Sequence, residues 1–152
     1  RGKTRRMKLR SLSPALLVAG QLLPADLPAL ASLGVASVVC NRPDNEQADQ
    51  PDHLAMQSAC AQAGMRFAYL PVVAGAISED DVQQFCEMLE QLPAPVVAYC
   101  RTGTRSTSLW ALAQVRTLRL TTDQVLSIAA GAGYDLSSLA PRLIRDAPSS
   151  PE

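Results

Sequence analysis

The sequence predicts an α/β domain with a central, mostly parallel sheet and helices on both faces. Three observations carry this expectation. Short apolar runs rich in β-branched residues alternate with helix-forming segments along the chain. The runs "VASVVCN" (35–41) and "APVVAYC" (94–100) are apolar throughout, as strands buried on both faces are. The segments between them close on turn residues such as Gly34 and Gly64.

In chain order, "ALLVAG" (15–20) reads as a strand ended by Gly20, and "PADLPALASLG" (24–34) as a helix opened by Pro24 and stopped by Gly34. The run 35–41 is the next strand, and the polar stretch "RPDNEQADQP" (42–51) has no periodicity and is a loop. A helix follows over 52–64, with His53 expected on its surface, then a strand from Met65 that ends near Pro71. "SEDDVQQFCEMLEQL" (78–92) is the clearest helix. Ser78 can cap it, Glu79, Asp80 and Asp81 suit its positive end, and Val82, Phe85, Leu89 and Leu92 fall on one face. The strand 94–100 leads to helices expected over 106–118 and 121–133, the latter capped by Thr121 or Thr122.

The 152 residues suffice for one domain with a real core, and an apolar content of 47% with 18% charged residues reads as globular rather than disordered. The expected organisation is a basic N-terminal tail over 1–10, a single domain over 11–145 and a disordered tail over 146–152. "RGKTRRMKLR" holds six Lys or Arg and no acid; it reads as an expression or linker remnant before a start at Met7, with a basic arm for acidic partners as the alternative. A net formal charge of zero points to no nucleic-acid partner. No run of about 18 apolar residues is present, so no membrane span is expected. With no export signal visible, the expected location is the cytoplasm. Cys40, Cys60, Cys86 and Cys100 show no CxxC spacing and read as reduced thiols; one histidine and no paired ligand motif give no metal site.

The stretch "YCRTGTRS" (99–106) joins the last strand to a helix, where parallel sheets bind their ligands. If residues 101–105 curl around the Cys100 thiol, their N–H groups form an anion-binding nest, and the helix N-terminus adds positive charge. Gly103 permits the turn, and Arg101 and Arg105 add two cations, one of which can hold an oxyanion through its fork. Each effect favours thiolate over thiol, so Cys100 is the expected nucleophile. Arg105 closes the loop as the second catalytic residue; Arg101, Thr102, Gly103, Thr104 and Ser106 are the expected substrate-binding residues. Ser106 either donates its hydroxyl to Cys100 or is an ordinary helix cap.

The spacing Cys-x4-Arg resembles the loop of rhodanese-type sulfurtransferases; cysteine-dependent phosphatases carry Cys-x5-Arg. Five blocks in order, "GQLLPADLPALASLG", "NRPDNEQADQP", "LPVVAGAISEDDV", "CRTGTRS" and "AGYDLSSLAPRL", resemble the bacterial family known as the phosphatase-like domain of beta-lactamase hydrolase-like proteins, also labelled a sulfurtransferase family. The resemblance covers about residues 11–145. It implies a fold like that of the dual-specificity phosphatases, and fusion or functional partners in sulfide or persulfide oxidation.

Three features favour sulfur over phosphate. The loop is short, Tyr99 stands where phosphatases place a histidine, and each candidate for a phosphatase's general acid has a competing role in a helix cap or a solvated loop. The expected activity is therefore a sulfurtransferase that moves a sulfane sulfur, from a donor such as thiosulfate or glutathione persulfide to a thiol or anion acceptor, through a Cys100 persulfide. It needs no cofactor. The alternative is a phosphatase acting on a phosphoester through a phosphocysteine, with Asp44, Asp80 or Asp81 as acid; a non-catalytic anion-binding module is a third reading. Asp44 and Glu46 lie beyond the strand holding Cys40, on the same sheet edge as Cys100. Asp80 and Asp81 fit helix capping better. Arg42 is expected on the surface, with the pocket of Cys100 as its alternative; Trp110 is expected in the core, Cys40 and Cys86 as buried fillers and Cys60 partly exposed, and Tyr134 faces core or site.

Overall fold

The structure, a computed structural model, describes residues 7–148. It contains a five-stranded sheet in the order β1-β2-β5-β3-β4. The strands are β1 (Arg10–Ser13), β2 (Leu16–Ala19), β3 (Ser37–Cys40), β4 (Arg66–Tyr69) and β5 (Val96–Tyr99). β5 lies in register between β2 and β3, and β2, β5, β3 and β4 are all parallel. Only β1 runs antiparallel, as a hairpin partner of β2. The helices are α1 (Leu27–Ser32, preceded by a 3-10 turn at Pro24–Asp26), α2 (His53–Gln62), α3 (Glu79–Gln91), α4 (Thr104–Arg116), α5 (Thr122–Gly131) and α6 (Ala140–Asp146).

All four residues of β3 and of β5 are buried, which is why their sequences carry no polar alternation. Successive side chains serve opposite layers. Val96 and Ala98 join Val39, Phe85, Leu109, Trp110 and Val125 in the larger core, built with α3, α4 and α5. Val97 and Tyr99 join Val38, Cys40, Leu27, Leu30, Met56 and Cys60 in the second core, built with α1 and α2. Each fully buried Leu, Val or Phe contributes about 1.5–3 kcal/mol relative to exposure. α3 is capped as its sequence implies: Ser78 accepts from the Asp81 N–H and Asp81 accepts from the Ser78 N–H, both at 2.9 Å. Thr121 and Gln124 make the same reciprocal cap on α5.

The differences from the sequence reading are local. β1 is not expected from the sequence, because "RSLS" buries only Leu12 and has no apolar pattern. α4 begins at Thr104 rather than 106, which puts Arg105 in the first helical turn. α6, a seven-residue helix, is likewise absent from the sequence expectation. Cys60 is fully buried rather than partly exposed, because it lies on the face of α2 that packs on the sheet. Cys86 is half-buried, and Trp110 lies in the core. Expectations for residues 1–6 and 149–152 lie outside the described residues. Among those described, no helix is long and apolar enough to cross a membrane, and no group of His, Cys, Asp and Glu is placed to hold a metal ion.

Candidate active site

Three parallel strands end together at one edge, and their continuations build the site. After β2, the Gln21 N–H donates to the Arg101 carbonyl at 3.1 Å. After β3, the Asn41 N–H donates to the Tyr99 carbonyl at 2.8 Å. Cys100 closes β5 with its N–H on the Ala19 carbonyl at 3.3 Å. Gly20 permits the close approach: a Cβ there would lie 3.0 Å from the Arg101 carbonyl oxygen. The thiol is thus set by the most constrained strand of the sheet.

Cys100 is 1% exposed. The loop turns at Gly103, whose φ of +96° favours glycine, and the Gly103 N–H donates to the Cys100 Sγ at 3.1 Å. A side chain at Gly103 would also collide with Tyr134, whose hydroxyl donates to the Thr102 carbonyl at 3.2 Å. Tyr134 therefore belongs to the outer wall of the loop. The Thr102 and Thr104 hydroxyls lie 3.1 Å apart at the exposed rim, and Arg101 is also exposed there.

Arg105 is buried and points back over the sheet edge. Its Nη1 donates to Glu46 Oε2 at 2.7 Å and to the Val72 carbonyl at 3.0 Å; its Nη2 donates to Glu46 Oε1 at 2.9 Å. These three bonds leave the Nε–H and the second Nη2 hydrogen, a side-on fork of the kind that grips a tetrahedral oxyanion. Arg105 is held charged above its ordinary value by its hydrogen bond to Glu46 first, with the neighbouring Cys100 adding to the effect. Glu46 in turn is pulled down to about 2, chiefly by Arg105 and secondarily by Arg42. It is a fixed carboxylate at any ordinary pH.

Arg42 is 1% exposed, which corrects the surface placement expected for it. Its guanidinium binds Glu46 Oε1 at 2.8 Å through Nε, Gln21 Oε1 at 2.9 Å and Gln47 Oε1 at 3.1 Å. A buried Arg survives because each edge of its fork finds an acceptor. The polar loop 42–51 is therefore the inner support of the site. Asn45 adopts a left-handed φ of +68°, a conformation asparagine tolerates, and Glu46 follows it.

Ser106 does not serve the thiol. Its hydroxyl donates to Asn41 Oδ1 at 2.7 Å, and Asn41 Nδ2 donates to the Leu70 carbonyl at 3.1 Å, so a buried polar pair ties α4 to the ends of β3 and β4. Asp44 is committed to α2: one carboxylate oxygen accepts from the His53 N–H at 2.9 Å and the other pairs with His53 Nδ1. His53 stacks on Tyr69 with ring centroids 4.0 Å apart, so it is a packed residue rather than a surface one. Asp81 is the α3 cap residue. Among the other thiols, burial pushes Cys60 up to about 11 and raises Cys40 and Cys86. They stay protonated at neutral pH. The supports of Arg105, namely Glu46, Arg42 and Val72, were not singled out as such by the sequence; the one signal was the acidic cluster after the strand ending at Cys40.

A pocket of about 420 Å³ opens beside the loop, between Thr102, Thr104, Arg105, Ser108, Gly75 and Arg142. The parallel sheet thus ends in a cysteine loop, and the first turn of the next helix carries an arginine beside it.

The chain belongs to the family described as the beta-lactamase hydrolase-like protein, phosphatase-like domain, which it matches over residues 8–117. It is 31% identical over 145 residues to a beta-lactamase hydrolase-like protein of Agrobacterium fabrum, covering 95% of this chain and 34% of that protein. The chain thus spans about a third of the length of the curated relatives it matches. Among solved structures, it is similar to a candidate phosphatase from Neisseria meningitidis, with a TM-score of 0.85 at 35% identity over 93% of this chain and 99% of the other. The fold is also that of P. aeruginosa TpbA, solved in complex with pTyr, with a TM-score of 0.68 at 20% identity over 92% and 84% of the two chains.

These likenesses correct the sulfurtransferase expectation, with its persulfide and its sulfur donor and acceptor, in favour of the phosphatase alternative. Loop length was the misleading feature. One residue fewer between Cys100 and Arg105 still leaves the guanidinium next to the thiol, because α4 starts early enough to carry Arg105 in its first turn.

Proposed function

We propose that this domain is a cysteine-dependent phosphatase acting on a phosphoester. The observation that carries the reading is the clamped Arg105, whose Nε–H and remaining Nη2–H are left for a substrate while Glu46 and Val72 occupy its other edge. Such a guanidinium is preorganised for two non-bridging phosphoryl oxygens, and its orientation costs nothing when the transition state forms.

In this reading the Cys100 thiolate attacks phosphorus, the bond to the ester oxygen breaks, and the phosphoryl group passes to sulfur. Water then attacks phosphorus, the P–S bond breaks, and inorganic phosphate and the thiolate are released. The N–H groups of the loop and the N-terminus of α4 offset the charge on the phosphoryl oxygens. Among the described residues lining the pocket, none is a carboxylic acid. Glu46 is a fixed carboxylate, and Asp44 is bound to His53. The leaving oxygen therefore takes its proton from water, which favours esters of acidic alcohols such as phenols.

The test is phosphate release from 4-nitrophenyl phosphate, with acid-quench trapping of a phosphocysteine. Release by the native protein and an adduct on the peptide containing Cys100 are expected. Release unchanged in Cys100→Ser would overturn the reading.

A further inference from the structure

A second pocket, of about 510 Å³, lies on the other side of the active loop. Its wall is formed by Lys8 just before β1, Arg10 at the start of β1, Gly20 and Gln21 after β2, Arg101 from the loop, and Tyr134. Arg101 and Thr102 line both pockets, so the two share a single ridge. Among the described residues, no Asp or Glu borders the second pocket. Lys8, Arg10 and Arg101 are exposed, and among the described residues none of the three makes an ion pair. Three uncompensated cations around one concavity, in a chain of zero net formal charge, focus a positive potential there.

The ridge is fixed. The Arg101 carbonyl accepts from the Gln21 N–H at 3.1 Å, and the Thr102 carbonyl accepts from the Tyr134 hydroxyl at 3.2 Å. Tyr134 and the exposed Arg101 both line the pocket beside this fixed backbone. The β1–β2 hairpin, an antiparallel addition to an otherwise parallel sheet, carries Arg10 to this edge.

We propose that the second pocket is a subsite for a second anionic group on the substrate. The substrate is then a small phosphoester that carries another phosphate or carboxylate: the reacting phosphoryl group sits under Arg105, and the second anion lies across the Arg101 ridge between Lys8 and Arg10. This deepens the phosphatase reading and rests on it for the identity of the reacting group.

The experiment uses the full chain with Cys100→Ser, so that ligands bind without turnover. Calorimetry compares propyl phosphate with a series of alkanediol bisphosphates of increasing length, and with phosphates of ω-hydroxy carboxylic acids of matching length. One member of each series is expected to bind about ten-fold more tightly than propyl phosphate, the worth of one charge-assisted hydrogen bond. In Lys8→Gln/Arg10→Gln that advantage disappears while propyl phosphate binding is unchanged. An advantage for bisphosphates alone, lost in the double variant, assigns the second group as phosphate; an advantage for carboxylates alone, likewise lost, assigns it as carboxylate. Equal affinity for one and two anions, or an advantage that survives the double variant, overturns the subsite. Turnover of 4-nitrophenyl phosphate by the native protein and by Lys8→Gln/Arg10→Gln, expected to be equal, separates this outcome from failure of the chemistry.

Discussion

Glu46 grips Arg105 with both carboxylate oxygens, at 2.7 and 2.9 Å, across 59 residues of sequence. The grip decides which edge of the guanidinium faces a substrate. Glu46→Gln keeps one acceptor and removes the charge. The expected result is a fall in kcat/KM of about 10- to 100-fold, the range for a hydrogen bond to a charged group. Steady-state kinetics on 4-nitrophenyl phosphate checks this, and a near-native value would show that Arg105 orients itself.

The same pair makes stability depend on pH. The Glu46 carboxyl is depressed from 4.5 to about 2, so folding favours its ionised form. A depressed acid contributes stability that is fully present above its unfolded value and is lost as pH falls toward the folded one. Urea midpoints should therefore be insensitive to this group above about pH 4.5 and drop between there and about pH 2. Glu46→Gln should show a shallower acid limb. An identical limb would remove Glu46 from the account.

Arg105→Lys keeps a positive charge against Glu46 but loses the fork. We expect a folded protein whose kcat/KM falls by about 10- to 100-fold, since charge-assisted bonds to the phosphoryl oxygens are weakened. Circular dichroism and kinetics together check this; full activity would show that charge alone suffices.

At the loop apex, Gly103→Ala meets two obstacles, the φ of +96° and the Tyr134 ring. The backbone part costs about 1–2 kcal/mol. Tyr134→Ala removes the clash together with the hydroxyl's bond to the Thr102 carbonyl, so the double variant should lose less stability than the sum of the two single variants. Thermal or chemical unfolding of the four proteins measures the coupling; strict additivity would mean that Tyr134 and residue 103 do not meet.

With no carboxylic acid among the described residues that line the pocket, rate should track the acidity of the leaving alcohol. Across substituted phenyl phosphates, log(kcat/KM) should fall steeply as the phenol pKa rises, and alkyl phosphates should be poor substrates. A flat dependence would reveal a proton donor.

What the sequence determined by itself was what short-range physics controls. Unbroken apolar runs marked β3 and β5 as strands buried on both faces, and helix caps announced α3 and α5. The join of β5 to α4 placed Cys100 at a sheet edge beside a glycine turn, since consecutive residues need only local geometry to meet. The tertiary structure alone decided who supports whom. Arg42 looks like a surface residue in a polar loop, yet the register of β3 beside β5 buries it beneath Glu46. Ser106 is next to Arg105 in sequence, yet Asn41 on the neighbouring strand end claims its hydroxyl. Asp44, two positions before Glu46, goes to His53. Those pairings arise where three loops converge beyond parallel strands, and no local pattern encodes them. Counting residues from Cys100 to Arg105 measures the loop's length, while the grip of Glu46 on Arg105, invisible to such a count, sets the direction of its fork.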